Sequence, residues 1–304
     1  MLYQKPVRVM LSLLPGLLFL YINAVMLFAL LRKPLLLESS RYILFGHLLL
    51  TESLQLFVTI LLYVFAVTMV RMISYVCVVI RMLGVVTTKM SPLNLALMSL
   101  ERYVAICFPL RHADIATTRR TGMAIAVIWT VASMDSFTQI VVFVSLDNKG
   151  STVPTVCSRN SVLHLQIYST IFTTFTIMCF VMVSTVIIYT YIAIMITVKS
   201  ASSNSQNVTK AHRTVLLHLI QLCLCLSSTL FTMINPGGRW NMKRTVAIHI
   251  EYFLFLTLLI LPKGLSPLIY GLRDQTLRHI FIHYFTFGLK TTVRPFTKTS
   301  FQIQ

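Results

Sequence analysis

The chain has 304 residues, of which 56% are hydrophobic and only 11% are charged, whereas about a quarter of the residues in a soluble globular protein are charged. Its mean hydropathy of +0.80 excludes a disordered chain and an ordinary soluble enzyme, because the surface of a soluble fold is already more than half apolar. The net charge of +18 comes from cations in short gaps between apolar runs, so we expect a lipid bilayer as partner and no nucleic acid.

Seven apolar segments are each long enough to cross a bilayer, which takes about 20 residues. They cover approximately residues 7–31, 42–68, 74–107, 121–146, 163–198, 214–234 and 246–271. The first is longer than the core of a signal peptide, so we expect it to be retained. The sequence predicts an all-α membrane protein with one domain over residues 1–304. A seven-transmembrane helix bundle would occupy residues 7–271, between an extracellular tail (1–6) and a cytoplasmic segment (272–304).

An amphipathic pattern follows the last apolar segment, within residues 273–289. Its apolar residues recur at helical spacing, with Arg278 and His279 off that stripe: Leu277, Ile280, Phe281, Tyr284 and Phe285. This pattern predicts a short helix that lies on the membrane surface.

The distribution of basic residues predicts the orientation of the chain. The loops that follow the first, third and fifth segments, together with the C-terminal segment, carry more Lys and Arg than the other loops. Cytoplasmic loops carry such an excess, so we expect an extracellular N-terminus and a cytoplasmic C-terminus.

Three short motifs stand at the ends of predicted spans. Glu101-Arg102-Tyr103 opens the string that continues Val-Ala-Ile-Cys-Phe-Pro-Leu, Lys210 begins Lys-Ala-His-Arg-Thr-Val-Leu-Leu-His, and Ser266 begins Ser-Pro-Leu-Ile-Tyr. In this order the motifs resemble those of the odorant receptor family, a branch of the rhodopsin-like (class A) G-protein-coupled receptors. The run Leu-Ile-Tyr-Gly-Leu-Arg-Asp-Gln is similar in particular to a divergent branch known from fish.

The resemblance implies a plasma-membrane receptor that binds a small odorant from outside. It would activate a heterotrimeric G protein, of the stimulatory type that raises cAMP. The residues that match the family's signalling switch are Glu101, Arg102, Tyr103, Tyr191, Pro267 and Tyr270. The alternative is a rhodopsin-like receptor for a ligand that is not an odorant. A transporter or channel is less consistent with the sequence, since it shows no paired repeats.

Cys77 and Cys157 both fall on the predicted outer side, where a disulfide persists. Their spacing alone leaves two free thiols as an equal alternative, whereas the resemblance implies a disulfide that ties the second extracellular loop to the third span.

Glu52 is a carboxylate deep in the second span, where a lone charge needs partners. The family resemblance implies that Asn23, Ser91 and Ser266 converge on it, around a sodium ion in related receptors. Lys263 lies one helical turn before Ser266. We expect Lys263 to supply the countercharge in place of sodium; the alternative is that it faces lipid.

The third span lines the ligand pocket in the family, which makes Arg81, Val85, Lys89, Asp135 and Glu251 candidate ligand-binding residues. A basic pocket would favour an anionic odorant such as a carboxylate. Two alternatives stay open. Lys89 could pair with Asp135 and Arg81 with Glu251, or the cations could reach to the lipid edge.

Catalytic and metal-binding patterns are not evident in the sequence. It contains no Gly-x-Ser-x-Gly, P-loop or Cys-x-x-Cys motif. His279 and His283 have a spacing that could bind a metal, but no third ligand is near them in the sequence. We therefore expect no enzymatic activity, no cofactor and no metal site.

Overall fold

The structure is a computed structural model, which describes residues 4–146, 155–157, 166–201, 253–273 and 275–285, and single positions at 216, 220, 223, 224 and 250. Most of the predicted sixth span and its Lys210 motif lie outside the described residues. Of the seventh predicted span, residues 253–271 are described.

The described chain is almost entirely helical. Its α-helices are α1 (Gln4–Leu31), α2 (Ser40–Thr68), α3 (Ser74–Cys107), α4 (His112–Ile115), α5 (Thr118–Leu146), α6 (Gln166–Ala201), α7 (Leu261–Arg273) and α8 (Gln275–Phe285). Two 3₁₀ helices cover Pro34–Glu38 and Pro109–Arg111, and a π-helix covers Phe255–Ile260. The strands β1 (Arg71–Met72) and β2 (Thr155–Val156) form a small antiparallel pair.

Among the described residues, five helices are long and apolar enough to cross a membrane: α1, α2, α3, α5 and α6. These confirm the first five predicted spans as helices, with ends that agree within a few residues. No end differs by more than about three residues, as at the starts of α1 (Gln4 rather than residue 7) and α5 (Thr118 rather than residue 121). The protein is therefore a multi-pass membrane protein.

Helix ends follow the local sequence. α3 ends at Cys107 because Pro109 lacks a backbone N–H and disfavours helical conformation in the residue before it. α2 ends at Thr68, where Met69 adopts a left-handed conformation with φ of 53° and its backbone N–H donates to the carbonyl of Phe65. This turn leads directly into β1.

α3 is the central helix of the described bundle, since it packs against α2, α5 and α6. The core between α3, α5 and α6 is built from residues such as Met90, Leu95, Ala132 and Val183, all buried. Apolar burial of this kind within a bilayer depends on close packing rather than on exclusion of water. The position of α3 brings residues along its whole length into contact with three neighbours.

The helix α8 lies against the bundle through its apolar face. Leu277 and Phe281 are buried in a core shared with α1 and α2, whereas Arg278 and His279 are exposed. The ring of Tyr284 lies edge-on to that of Phe28 in α1, with centroids 5.5 Å apart. The amphipathic spacing thus corresponds to one buried and one exposed side of the helix over its described residues.

Candidate functional site

A disulfide joins Cys77 in the first turns of α3 to Cys157, which directly follows β2. The two Cα atoms are 5.6 Å apart, and the bond closes a loop across a sequence separation of 80 residues. In β1 and β2, Arg71 pairs with Val156 and Met72 with Thr155. The segment after α5 is therefore held to the start of α3 by both covalent and backbone hydrogen bonds.

We expect Cys157→Ser to lower the stability of the receptor by about 2–4 kcal/mol, because a disulfide that closes a long loop restricts the unfolded chain. The measurement is the thermal unfolding of detergent-solubilised protein. Cys223→Ser is the matched control, since Cys223 is a free and exposed cysteine. Equal stability of the two variants would contradict this prediction.

Lys89 and Asp135 form a buried ion pair between α3 and α5. The Lys89 ammonium contacts Asp135 Oδ2, and the two side chains are 6% and 0% exposed. The amide of Gln139, one turn further along α5, lies 3.5 Å from the same carboxylate oxygen. Of the alternatives that the sequence left open for Lys89, this geometry corresponds to internal pairing with Asp135.

Next to this ion pair, a small cleft with a free volume of about 20 Å³ lies between α3 and α6. Its described lining is mainly apolar and comprises Thr88, Lys89, Pro92, Phe172, Thr176, Cys179 and Phe180. The ammonium of Lys89 lies 5.7 Å from the centre of the Phe172 ring and 5.9 Å from that of Phe175. Cations are attracted to aromatic faces at such distances. The cleft thus combines one cation, already paired, with an aromatic wall.

Of the other candidate ligand-binding residues, Arg81, Val85 and Asp135 are not part of the described lining. Arg81 and Val85 are half-buried in α3, two turns and one turn before Lys89 respectively. The side chain of Glu251 lies outside the described residues, so the predicted pairing with Arg81 is not described.

A second buried ion pair connects α2 with α7. Lys263 Nζ lies 3.3 Å from Glu52 Oε2 and donates a hydrogen bond of 2.8 Å to Ser91 Oγ in α3. The residues Lys263 and Glu52 are 2% and 0% exposed. The ammonium therefore takes the position between carboxylate and hydroxyl that a sodium ion would need. The described residues do not fit a sodium site, because a second cation there would be repelled.

The remaining members of this polar cluster are only partly described. Asn23 in α1 is fully buried, and its amide has no hydrogen-bond partner among the described residues. The side chain of Ser266 lies outside them. The π-helix Phe255–Ile260 immediately precedes α7, and such a wide turn changes the helical phase of the residues after it. Lys263 and Ser266 both follow this π-helix, so the regular spacing between them, on which the prediction for Lys263 depends, is unaffected by it.

At the opposite end of α3 from the disulfide, Glu101 has two basic neighbours. Arg102 Nε lies 3.5 Å from Glu101 Oε2, and His112 Nε2 in α4 lies 3.4 Å from Glu101 Oε1. The Glu101 side chain is 9% exposed and that of Arg102 is 20% exposed. The structure thus brings the predicted acidic neighbour to the arginine, and adds a histidine that the motif did not indicate.

The structure describes part of the tyrosine set of the predicted switch. The ring of Tyr103 lies 5.9 Å from that of Tyr189, at the same end of the bundle. Tyr191, which the resemblance assigns to the signalling switch, is half-buried in α6. Pro267 is buried within α7, and the side chain of Tyr270 lies outside the described residues.

Sequence reasoning missed the aromatic wall of the cleft. Phe172 and Phe175 stand three residues apart in α6, a helix that is apolar around its whole circumference. Nothing in such a run marks one face as different from another, so only contact with Lys89 identifies them. His112 was missed for a related reason, because it approaches Glu101 through a turn of the chain.

Comparison with known proteins identifies the family. The sequence profile of the seven-transmembrane receptors (rhodopsin family) matches residues 22–270. Odorant receptor 131-2 of zebrafish (Danio rerio) is 33% identical over 287 residues, which cover 89% of this chain and 83% of that protein.

Two human (Homo sapiens) proteins are more distant relatives. Olfactory receptor 2T1 is 28% identical over 83% of this chain and 69% of its own length. Olfactory receptor 6C6 is 27% identical over 66% of this chain and 64% of its own length. The motifs, the helical bundle and these matches agree, and the chain belongs to the rhodopsin family of seven-transmembrane receptors, in its odorant receptor branch.

Proposed function

We propose that this chain is a plasma-membrane odorant receptor that binds a small molecule from the extracellular side and activates a heterotrimeric G protein. In this proposal the N-terminus is extracellular and the C-terminus cytoplasmic. The G protein is the stimulatory type that raises cAMP. The relatives named odorant and olfactory receptors support the chemosensory role, and the excess of basic residues in alternate loops supports the orientation.

One observation carries the proposal: α3 holds both the cleft and the arginine motif. Lys89 lines the cleft, and Arg102 contacts Glu101 on the same helix. At a rise of about 1.5 Å per residue, the two positions are about 20 Å apart along the helix axis. A ligand in the cleft would therefore contact the same helix that carries the signalling motif.

The proposed mechanism is a shift between two arrangements of the bundle. A ligand that contacts both α3 and α6 favours the arrangement in which those contacts are best, and it can shift the equilibrium only by that difference in affinity. Packed helices move between discrete arrangements. Such a movement would separate Arg102 from Glu101 and free it to meet the G protein, together with the basic loops around residues 111–120 and 199–213.

A cAMP reporter assay in transfected cells tests this function. Cells that display the receptor, with an N-terminal epitope tag, are exposed to small acids, amines and neutral odorants. We expect a dose-dependent rise in cAMP for a subset of compounds, and tag accessibility without permeabilisation. Cells that carry the empty vector are the control. A surface-displayed receptor that activates no heterotrimer with any compound would contradict the proposal.

A further inference from the structure

We infer that the cleft between α3 and α6 selects neutral ligands with a hydrogen-bond acceptor, such as ketones and esters, and rejects carboxylates and amines. This inference rests on the proposed function, because it names the ligand class of the same receptor. It departs from the anionic ligand that the basic residues of α3 indicated, since the cation in the cleft is already paired.

Lys89 supplies the hydrogen-bond donor. An ammonium has three N–H donors, and Asp135 Oδ2 occupies one side of it. The same ammonium lines the cleft and faces the rings of Phe172 and Phe175. Aromatic faces attract a cation but do not satisfy its N–H groups as an oxygen atom does. A ligand oxygen in the cleft would therefore find a donor that is held in position.

The hydroxyl groups of the described lining already donate their hydrogen atoms to backbone carbonyls. Thr88 donates its hydroxyl hydrogen to the carbonyl of Gly84 at 2.8 Å, and Thr176 donates to that of Phe172 at 2.6 Å. The hydroxyl oxygen of Thr88 also accepts from the Gln55 amide at 2.8 Å. Among the described lining residues, Lys89 is thus the strong donor that remains for a ligand.

The charge balance of the site disfavours a carboxylate ligand. The residues Lys89 and Asp135 are 5% and 0% exposed, so the pair is close to neutral as a unit and shielded from water. A carboxylate would add a second buried negative charge beside Asp135 with no further cation from the described lining. Burial of an unpaired charge is costly, whereas a carbonyl accepts the same hydrogen bond without that cost.

The same geometry disfavours an amine ligand. A ligand cation would need a carboxylate that faces the cleft, and none belongs to its described lining. Asp135 is fully buried and contacts Lys89, which would lie between it and the ligand charge. The rest of the lining, including Pro92, Phe172 and Phe180, is mainly apolar and offers no countercharge to an amine.

The test compares compounds that share a carbon skeleton and differ in the polar group. Straight-chain, branched and aromatic skeletons are each presented as carboxylate, methyl ester, methyl ketone, amine and hydrocarbon to cells that express the receptor. Activation of the G protein and cAMP are both recorded. We expect esters and ketones to act at concentrations about tenfold or more below those of the matched carboxylates and amines.

A double variant, Lys89→Met with Asp135→Asn, keeps the site neutral and leaves no unpaired charge. We expect it to reach the surface and to lose about tenfold in potency for esters and ketones, which corresponds to about 1.4 kcal/mol, the scale of one hydrogen bond. Its response to the hydrocarbons should match that of wild type. Lys33→Met is the control, because Lys33 is exposed and lies between α1 and the Pro34–Glu38 helix, outside the cleft lining.

Two results would overturn this inference and leave the proposed function intact. One is activation led by carboxylates or amines in wild type. The other is an unchanged ester and ketone response in the double variant. Failure of every compound to activate a G protein at the displayed wild-type receptor would instead contradict the proposed function, and this inference with it.

Discussion

Replacement of Lys263 by Met is expected to destabilise the folded receptor by about 3–5 kcal/mol, the scale for removal of one partner of a buried ion pair. Lys263 is 2% exposed and Glu52 is fully buried. Without the ammonium, Glu52 would be an unpaired carboxylate among α2, α3 and α7, and Ser91 would lose the donor that it meets at 2.8 Å. Thermal unfolding in detergent and the surface level in cells would measure the loss.

A double substitution distinguishes the effect of the lost charge on stability from the effect of the lost side-chain volume. Glu52→Gln combined with Lys263→Met removes both charges, so most of the lost stability should return. Lys33→Met is the matched control for a lysine that is exposed. A double variant no more stable than Lys263→Met alone would show that the loss comes from side-chain volume, and would contradict the assigned ion pair.

Sodium provides a second readout of the same pair. Since Lys263 Nζ lies 3.3 Å from Glu52 Oε2 and within hydrogen-bond distance of Ser91, we expect replacement of sodium by potassium to leave the stability and ligand potency of the wild type unchanged. A marked stabilisation by sodium would show that the ammonium does not hold this position.

Arg102→Ala is expected to abolish activation of the G protein while the receptor still reaches the cell surface. Arg102 is 20% exposed and contacts Glu101 at 3.5 Å, and a partly exposed ion pair of this kind contributes little to stability. The substitution should therefore act on signalling and not on folding. The measurement is ligand-stimulated cAMP, normalised to the amount of receptor at the surface.

A companion substitution tests the proposed release of the arginine. Glu101→Gln weakens the contact that holds Arg102, so we expect a higher basal cAMP level. Arg71→Ala is the control, since Arg71 is an exposed residue of β1 at the other end of the bundle. Wild-type signalling by Arg102→Ala would refute the role of the motif.

Much of the helical framework was predictable from hydropathy alone. The predicted third span, residues 74–107, coincides with α3 (Ser74–Cys107), because apolar residues predominate along this segment and Pro109 prevents the helix from continuing. The predicted fifth span ends at residue 198, whereas α6 runs to Ala201, past Lys199. Helical hydrogen bonds can continue beyond the apolar run, so hydropathy marks the span and not the end of the helix.

The pairing of charged residues required more than the linear pattern. For Lys89 the sequence left open pairing with Asp135, binding of an anionic ligand or contact with the lipid edge, and the choice depended on which faces of α3 and α5 meet. Tyr189, which the motifs did not indicate, lies against Tyr103 because the rotation of α6 about its axis places the two rings on adjoining surfaces. An apolar helix without a polar face carries no signal of that rotation.

The sequence by itself determined that this protein is a helical membrane protein, where its first five spans lie, and the family to which its three motifs belong. Those properties depend on local composition and on short strings, which are present in the chain before it folds. Only the tertiary structure decided that Lys263 joins Glu52 to Ser91, and that Lys89 is neutralised by Asp135 beside an aromatic wall. Both depend on the relative rotation and depth of helices far apart in the chain, and in a bilayer these are set by close packing and buried polar contacts.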